Sequence, residues 1–170
     1  ANDQFEISGG WGAGMLVGTV GVRFNNFAMR NFFKWKEWRP YPSGDGQSLQ
    51  IRAQSNGRVY QSYNISFIEP WLGGKKPNTL SISAFRSLMT NGSKKDADDR
   101  QSMLIDGGSI GFGKRLEWTD NFFSVYYEAS YKRYSLSKWE RYSFLFTNGT
   151  ANLTSLSARI TRFSAGPNTI

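Results

Sequence analysis

The chain has 170 residues, a formal net charge of +8, 13 Phe, 8 Tyr and 6 Trp, and neither Cys nor His. Absent Cys excludes disulfides and thiolate metal sites; absent His excludes Ser-His-Asp and Cys-His nucleophiles, zinc-histidine centres and the usual general base. The length suits one domain, and no stretch approaches the roughly 18 to 20 unbroken apolar residues of a spanning helix.

The opening "ANDQFEIS" carries no charged-then-apolar export segment and reads as mid-protein sequence, which places any such signal upstream. From there the chain is a run of short alternating segments broken by Gly, Asn, Asp and Pro clusters, with no long helix. "FEISGGWG" sets Phe5, Ile7 and Trp11 against Glu6 and Ser8. "LVGTVGVRF" puts Leu16, Val20, Val22 and Phe24 on one parity and Thr19 and Arg23 on the other. After a basic-aromatic insert at 28 to 46, "SLQIRAQ" alternates Leu49, Ile51 and Ala53 with Gln50, Arg52 and Gln54. The turn signal "SNGR" then predicts a tight hairpin into "YQSYNISFIEPWLGG", where Tyr63, Ile65 and Phe67 oppose Ser62, Asn64 and Ser66. "LSISAF" sets Leu80, Ile82 and Ala84 against two serines, and "NGSKKDADDRQ" is a polar loop. "IDGGSIGFGKRL" is a Gly-rich strand followed by the break "EWTDN". "FFSVYYEASYKRY" alternates Val125, Tyr127, Ala129 and Tyr131 with Ser124, Glu128, Ser130 and Lys132. "SLSKWERYSFLFTNGT" is a long aromatic loop with room for a helical turn, and "LTSLSARITRF" sets Leu156, Ala158 and Ile160 against Ser155, Ser157 and Arg159. The expected fold is all-β, an antiparallel meander of about eight strands.

Strict alternation marks a strand with one apolar face. In a soluble protein that face looks into a core; in an outer-membrane barrel it looks at lipid. Charged residues along nearly all of the polar faces suit a wet lumen, but a soluble sandwich would show the same polarity outward. "RNFFKWKEWRPYP" mixes Phe32, Phe33, Trp35, Trp38 and Tyr41 with Lys34, Lys36 and Arg39, which suits the headgroup boundary of a membrane. An amphipathic loop lying over a core is the plainer alternative.

Several stretches, in order along almost the whole chain, resemble the start of the barrel of BamA-type outer-membrane assembly factors, a family of bacterial surface antigens and protein insertases. They are "FEISGGWG", "FNNFAMRNFF", "SGDGQSLQIRAQ", "YQSYNISFIEPWLGG" and "GFGKRLEW". The most specific is the alternating strand that runs into Glu-Pro-aromatic and a Gly-rich turn. The resemblance implies residues 1–170 as the N-terminal half of a sixteen-stranded transmembrane barrel. The periplasmic POTRA repeats and the second half, with its Arg-Gly loop, lie outside this chain. It implies a first strand at 5 to 12 rising from the periplasm, "AGM" as a tight outer loop, and the insert at 28 to 46 and "EPWLGGKKPN" on the periplasmic side. The loops "SNGR", "SKKDADDR" and "SKWERYSFLFTNG" would face outside. The implied location is the outer membrane of a Gram-negative-type bacterium. The implied partners are membrane lipids and lipopolysaccharide, unfolded outer-membrane proteins and the lipoproteins of an assembly complex.

The function so implied is assembly of other outer-membrane barrels at a lateral seam, with a substrate strand templated on Phe5, Glu6, Ile7, Ser8, Gly9 and Gly10. An unpaired strand edge offers N–H and C=O groups that an incoming strand can satisfy. Read from residues alone, Gly9, Gly10, Gly12 and Gly14 fit a bend at a tight turn better than a weakly held strand; the resemblance reverses that preference. The lipid-facing set is Leu16, Val20, Val22, Leu49, Ile51, Tyr63, Ile65, Phe67, Leu80, Ile82, Val125, Tyr127, Leu156 and Ile160. The lumen-facing set is Arg23, Arg52, Glu128, Lys132 and Arg159.

No catalytic residue, cofactor, metal or nucleic-acid partner is expected. Glu69 and Glu117 are isolated, which gives no acid/base pair. Asp96, Asp98 and Asp99 lack EF-hand spacing and read as a solvated outer loop. "GSIGFG" lacks the strand-to-helix setting of a phosphate loop, and the basic residues are scattered rather than clustered. Two rivals stand beside the insertase. One is a passive porin-like transport barrel, and the other is a soluble carbohydrate-binding β-sandwich that stacks sugars on Trp and Tyr.

Overall fold

A computed structural model describes residues 3–12, 15–38, 41–74, 78–118, 121–140 and 146–164. They form eight strands: β1 Gln4–Gly12, β2 Met15–Phe27, β3 Gln47–Asn56, β4 Tyr60–Glu69, β5 Thr79–Thr90, β6 Ser102–Trp118, β7 Asn121–Ser137 and β8 Gly149–Ser164. All lie in one sheet in chain order, β1 to β8, each antiparallel to its neighbours. The expected all-β meander is what the chain forms.

The register explains why these residues sit still in this arrangement. Read across the sheet, Phe24, Leu49, Phe67, Ile82, Ile110, Ala129 and Leu156 occupy one row. One residue further along each strand, on the other face, the row is Arg23, Gln50, Ser66, Ser83, Ser109, Ser130 and Ser155. A slip of one residue at any pair would move a strand's apolar set onto the serine face, so the alternation itself fixes the register. The hydroxyls of the serine row bond to one another, Ser83 to Ser109 at 2.7 Å and Ser130 to Ser155 at 2.6 Å. Much of the apolar row is left open: Ile82 is 43% exposed, Ile110 52% and Leu156 81%.

Several elements extend beyond their expected bounds. β5 continues past Phe85 to Thr90, and Ser135, Leu136 and Ser137 belong to β7, where Ser135 pairs with Thr150. The expected break "EWTDN" is mostly strand, since Glu117 pairs with Phe122 and Trp118 with Asn121. Ladder hydrogen bonds are made by backbone, so polar ends stay in the sheet wherever a partner strand is in register. The hairpin residues 13 and 14 lie outside the described residues, as do 141 to 145 of the aromatic loop expected at 135 to 150, whose described remainder holds no helical turn. The insert between β2 and β3 holds two single 3₁₀ turns, Met29–Asn31 and Trp35–Glu37.

Protein-covered apolar side chains are few. Met103, Leu136 and Trp139 form a cluster, joined by Met89, Ile105 and Phe146. Met89, Met103 and Leu136 share the parity of the serine face, so that face turns apolar at the end where the β7–β8 connection returns over it.

Two glycines show what the Gly-rich strands are for. A Cβ on Gly107 would stand 2.6 Å from the Phe85 ring, so the glycine seats that ring across the β5–β6 pair. A Cβ on Gly18 would stand 2.7 Å from the carbonyl oxygen of Ser8, a backbone atom of β1. The Ser8 carbonyl cannot retreat without moving β1, whereas the Phe85 ring could leave its seat only by changing rotamer. Gly10, by contrast, has open space where its Cβ would be. Gly18→Ala is therefore expected to destabilise the folded chain by about 1–3 kcal/mol, with the loss confined to β1–β2 pairing. Gly10→Ala is expected to be neutral or slightly stabilising. Urea unfolding in detergent micelles, with amide exchange at residues 4 to 12, measures both; equal effects would refute the close approach.

Candidate functional site at the β1 edge

β1 is one edge of the sheet and β8 the other, so β1 has a partner strand on one side only. In an antiparallel ladder, alternate residues turn their N–H and C=O groups away from the partner. Along β1 those groups form the free edge on which Phe5, Glu6, Ile7, Ser8, Gly9 and Gly10 lie.

The two halves of β1 are held differently. At its root, the Asp3 Oδ1 accepts the Asn25 N–H at 3.0 Å and the Tyr41 hydroxyl at 3.0 Å. Burial first, then the hydrogen bond to Asp3 and its negative charge, push the Tyr41 phenol above its ordinary pKa, so it stays a donor at neutral pH. Phe24 lies between Phe5, edge to face at 6.4 Å, and Tyr41 at 4.3 Å. Glu6 reaches past Gly21 to Arg52 of β3, Oε1 to Nη2 at 3.2 Å. With both side chains about half exposed, that pair contributes about 0–1 kcal/mol. Gly21 is the residue over which the two side chains meet: its Cβ would lie 3.5 Å from the Glu6 carboxylate and 3.6 Å from Arg52.

Above Ile7 the grip weakens. Gly9 faces Gly18, so that cross-strand pair has no side chains to pack. The wall there is one backbone thick, with a shallow hollow lined by Gly9, Gly18, Val20, Ala53 and Tyr63. Phe5, Ile7 and Trp11 are 73%, 80% and 75% exposed, so the described residues leave most of the apolar side of this strand open.

Every residue of the expected lipid-facing set takes a position of the apolar rows. Val20, Ile51, Tyr63, Ile65, Ile82, Tyr127, Leu156 and Ile160 are exposed; Val22, Leu49, Phe67 and Leu80 are half-buried, and Val125 is covered. Leu16 takes the register position opposite Trp11. Arg23, Arg52, Glu128, Lys132 and Arg159 all fall on the serine face, where Tyr126 links Ser81 at 2.8 Å to Glu128 at 3.2 Å. Asp98 and Asp99 are tied into their loop: Ser93 donates to the Asp99 carboxylate at 3.0 Å, and Lys138 to the Asp98 carbonyl. Among the described residues no group of Asp and Glu is arranged to hold a metal ion, and no helix is long and apolar enough to cross a membrane.

Three features escaped the sequence reading. The Asp3–Tyr41 tie joins residues 38 apart and leaves no local pattern. Gly18 reads as one more glycine until its distance to Ser8 is known. The third was legible: Arg86 and Asp106 fall on the apolar parity of their strands, are paired in register, and make an ion pair on the apolar face. Arg133 and Asn152 continue that row on β7 and β8. Following the parity of "LSISAF" two residues further reaches Arg86.

A model of the Omp85 superfamily domain matches residues 43–164, from the end of the insert through β8, and leaves β1 and β2 ahead of the matched segment. No curated protein and no solved structure gives a significant match. The superfamily consists of outer-membrane β-barrels of Gram-negative bacteria and organelles that insert or transport proteins without enzymatic chemistry. Matched over most of its length and folded as a single antiparallel meander, the chain belongs to the Omp85 superfamily.

Proposed function

We propose that this chain is the N-terminal half of a sixteen-stranded barrel of the BamA type. In this reading it assembles other outer-membrane barrels by templating a substrate strand on the free edge of β1. The observation that carries it is the asymmetry of β1: anchored at Asp3 and Phe5, paired on one side only, and glycine-paired above Ile7. The apolar rows face lipid and the serine face lines the lumen. An unpaired N–H or C=O in hydrocarbon costs several kcal/mol because lipid offers no partner. A substrate strand pairing with β1 removes that cost for both edges, so strand addition drives the step without ATP or a catalytic side chain. The half that grips weakly is the half that exchanges partners. Unfolded outer-membrane proteins are the substrates, and assembly lipoproteins and lipopolysaccharide the surrounding partners, in the outer membrane of a Gram-negative-type bacterium.

The serine face with Arg23, Arg52, Glu128, Lys132 and Arg159 also suits a water-filled conduit, which favours a passive transport barrel as the second reading. The seam separates the two. Because the chain has no Cys, Ser8→Cys introduces a single thiol. In lipid vesicles, with an unfolded barrel protein carrying one Cys in its terminal strand, Ser8→Cys is expected to form a mixed disulfide. Ser83→Cys, in the middle of the sheet, is expected to form none. No disulfide at Ser8, together with a steady ion conductance across planar bilayers, would replace the insertase with the conduit.

Which face meets lipid is tested by charge. Ile110→Arg is expected to destabilise the folded chain in vesicles by about 2–4 kcal/mol, the cost of a cation near the bilayer midplane. Ser109→Arg, one residue away on the lumen face, is expected to have little effect. Urea titration of tryptophan emission in vesicles measures both, and a reversed order would exchange the two faces.

A further inference from the structure

We propose that residues 29 to 38 form an interfacial anchor that binds anionic phospholipid headgroups at one rim of the sheet and holds the root of β1 there. The inference rests on the apolar face being the lipid face.

The insert is docked on that face, not on the serine face. Phe27 meets Phe67 edge to face at 6.4 Å and Tyr41 meets Phe24 at 4.3 Å; Phe24 and Phe67 both belong to the apolar row. It is also a folded object. Ala28 N–H donates to the Pro42 carbonyl at 2.9 Å, Met29 N–H to the Gln47 side-chain oxygen at 2.7 Å, and Asn31 to the Ser43 carbonyl at 3.1 Å. Phe27 and Ala28 are buried beneath it.

What it turns outward is aromatic and basic. Phe33 is 87% exposed and Trp35 77%. Trp35 stacks on Trp38 at 4.8 Å, and Phe32 packs edge to face on Phe33 at 5.2 Å, so the rings are set as a rigid ledge. Lys34 and Lys36 are exposed between them. Arg30 is already paired with Asp45 at 2.6 Å, whereas the two lysines have no ion-pair partner among the described side chains. In water such a ledge is a liability. At the level of lipid phosphates the rings sit in the interface and each lysine lays its carbon stem along apolar surface with its ammonium at the headgroups. Two three-residue 3₁₀ turns are far too short to cross a bilayer, so the segment lies in the interface.

The occupant is lipid because the lipid-covered face continues into the ledge without a break, and the charge of Lys34 and Lys36 selects anionic headgroups. The same insert carries Tyr41, whose hydroxyl holds Asp3 at the start of β1. Headgroup binding therefore fixes the root of β1 and leaves its glycine half free.

The test uses the full chain folded in phosphatidylcholine vesicles with and without phosphatidylglycerol. Heat-modifiable gel migration certifies folding, and failure to fold in vesicles would count against the lipid face itself. Tryptophan quenching by lipids brominated high or deep in the acyl chain is compared between the parent chain and Trp35→Phe. The expected result is a Trp35-dependent quenching that is stronger for the shallow bromines. Phosphatidylglycerol is expected to raise it in the parent chain and not in the Lys34→Gln/Lys36→Gln variant. Amide exchange at residues 4 to 7 is expected to slow with phosphatidylglycerol in the parent chain only. A folded chain without Trp35-dependent quenching would overturn the anchor and leave the ledge to a protein partner. Quenching or exchange indifferent to phosphatidylglycerol would overturn the headgroup selection or the tie to β1, respectively.

Discussion

The sheet depends on one constraint: a strand can offer its two faces to two different solvents only if every strand keeps the same register. A polar row, serine from β4 to β8, and an apolar row run side by side across β2 to β8, one residue apart. Neither row is backed by a conventional core; among the described residues the buried apolar side chains are few, Phe27 and Ala28 at one end of the sheet, Met103, Leu136 and Trp139 at the other, and Val125 on β7. The apolar face is satisfied only when something apolar covers it, and in the reading proposed above that cover is lipid.

The strands were legible because a period of two needs no tertiary information: Tyr63, Ile65 and Phe67 declare their face from sequence alone. Strand ends were less legible. Ser135 and Glu117 carry loop-like signals, and only the presence of a partner at Thr150 or Phe122 keeps them in the ladder. The seam residues could be placed on the first strand, but not their unequal grip. That inequality comes from Asp3 meeting Tyr41 and from the backbone of β1 lying against Gly18, contacts between segments that share no local pattern. The aromatic-basic insert was recognised by composition; its docking on the apolar side required the Phe27–Phe67 and Phe24–Tyr41 contacts.

β1 and β8 are both edges, yet they are not equivalent. β8 pairs with β7 over its full 16 residues, whereas β1 has 9 residues and an opposed glycine pair in its ladder. Cross-strand pairs contribute roughly 0.2–1 kcal/mol each relative to small residues, so a strand that is short and locally bare is the easier one to exchange. The Gly18 contact shows that this bareness is built in: a side chain there would push against β1 itself. Two edges so unequal within one sheet are what the proposed seam at β1 requires.

In the reading proposed above, the polar groups on the apolar face set the height of that wall. On β6 the apolar stretch runs between Asp106, paired with Arg86, and Lys114, eight residues apart. At about 3.3 Å per residue that is roughly 26 Å along the strand, and a tilt of about 40° reduces it to about 20 Å across the membrane. An ordinary outer-membrane barrel carries an apolar band of about 25 Å. On β1 the same parity runs from its polar bound Asp3 through Phe5 and Ile7 to Trp11, also eight residues, so the band keeps about the same height at the edge strand. A band shorter than the hydrocarbon layer draws the bilayer thinner around it.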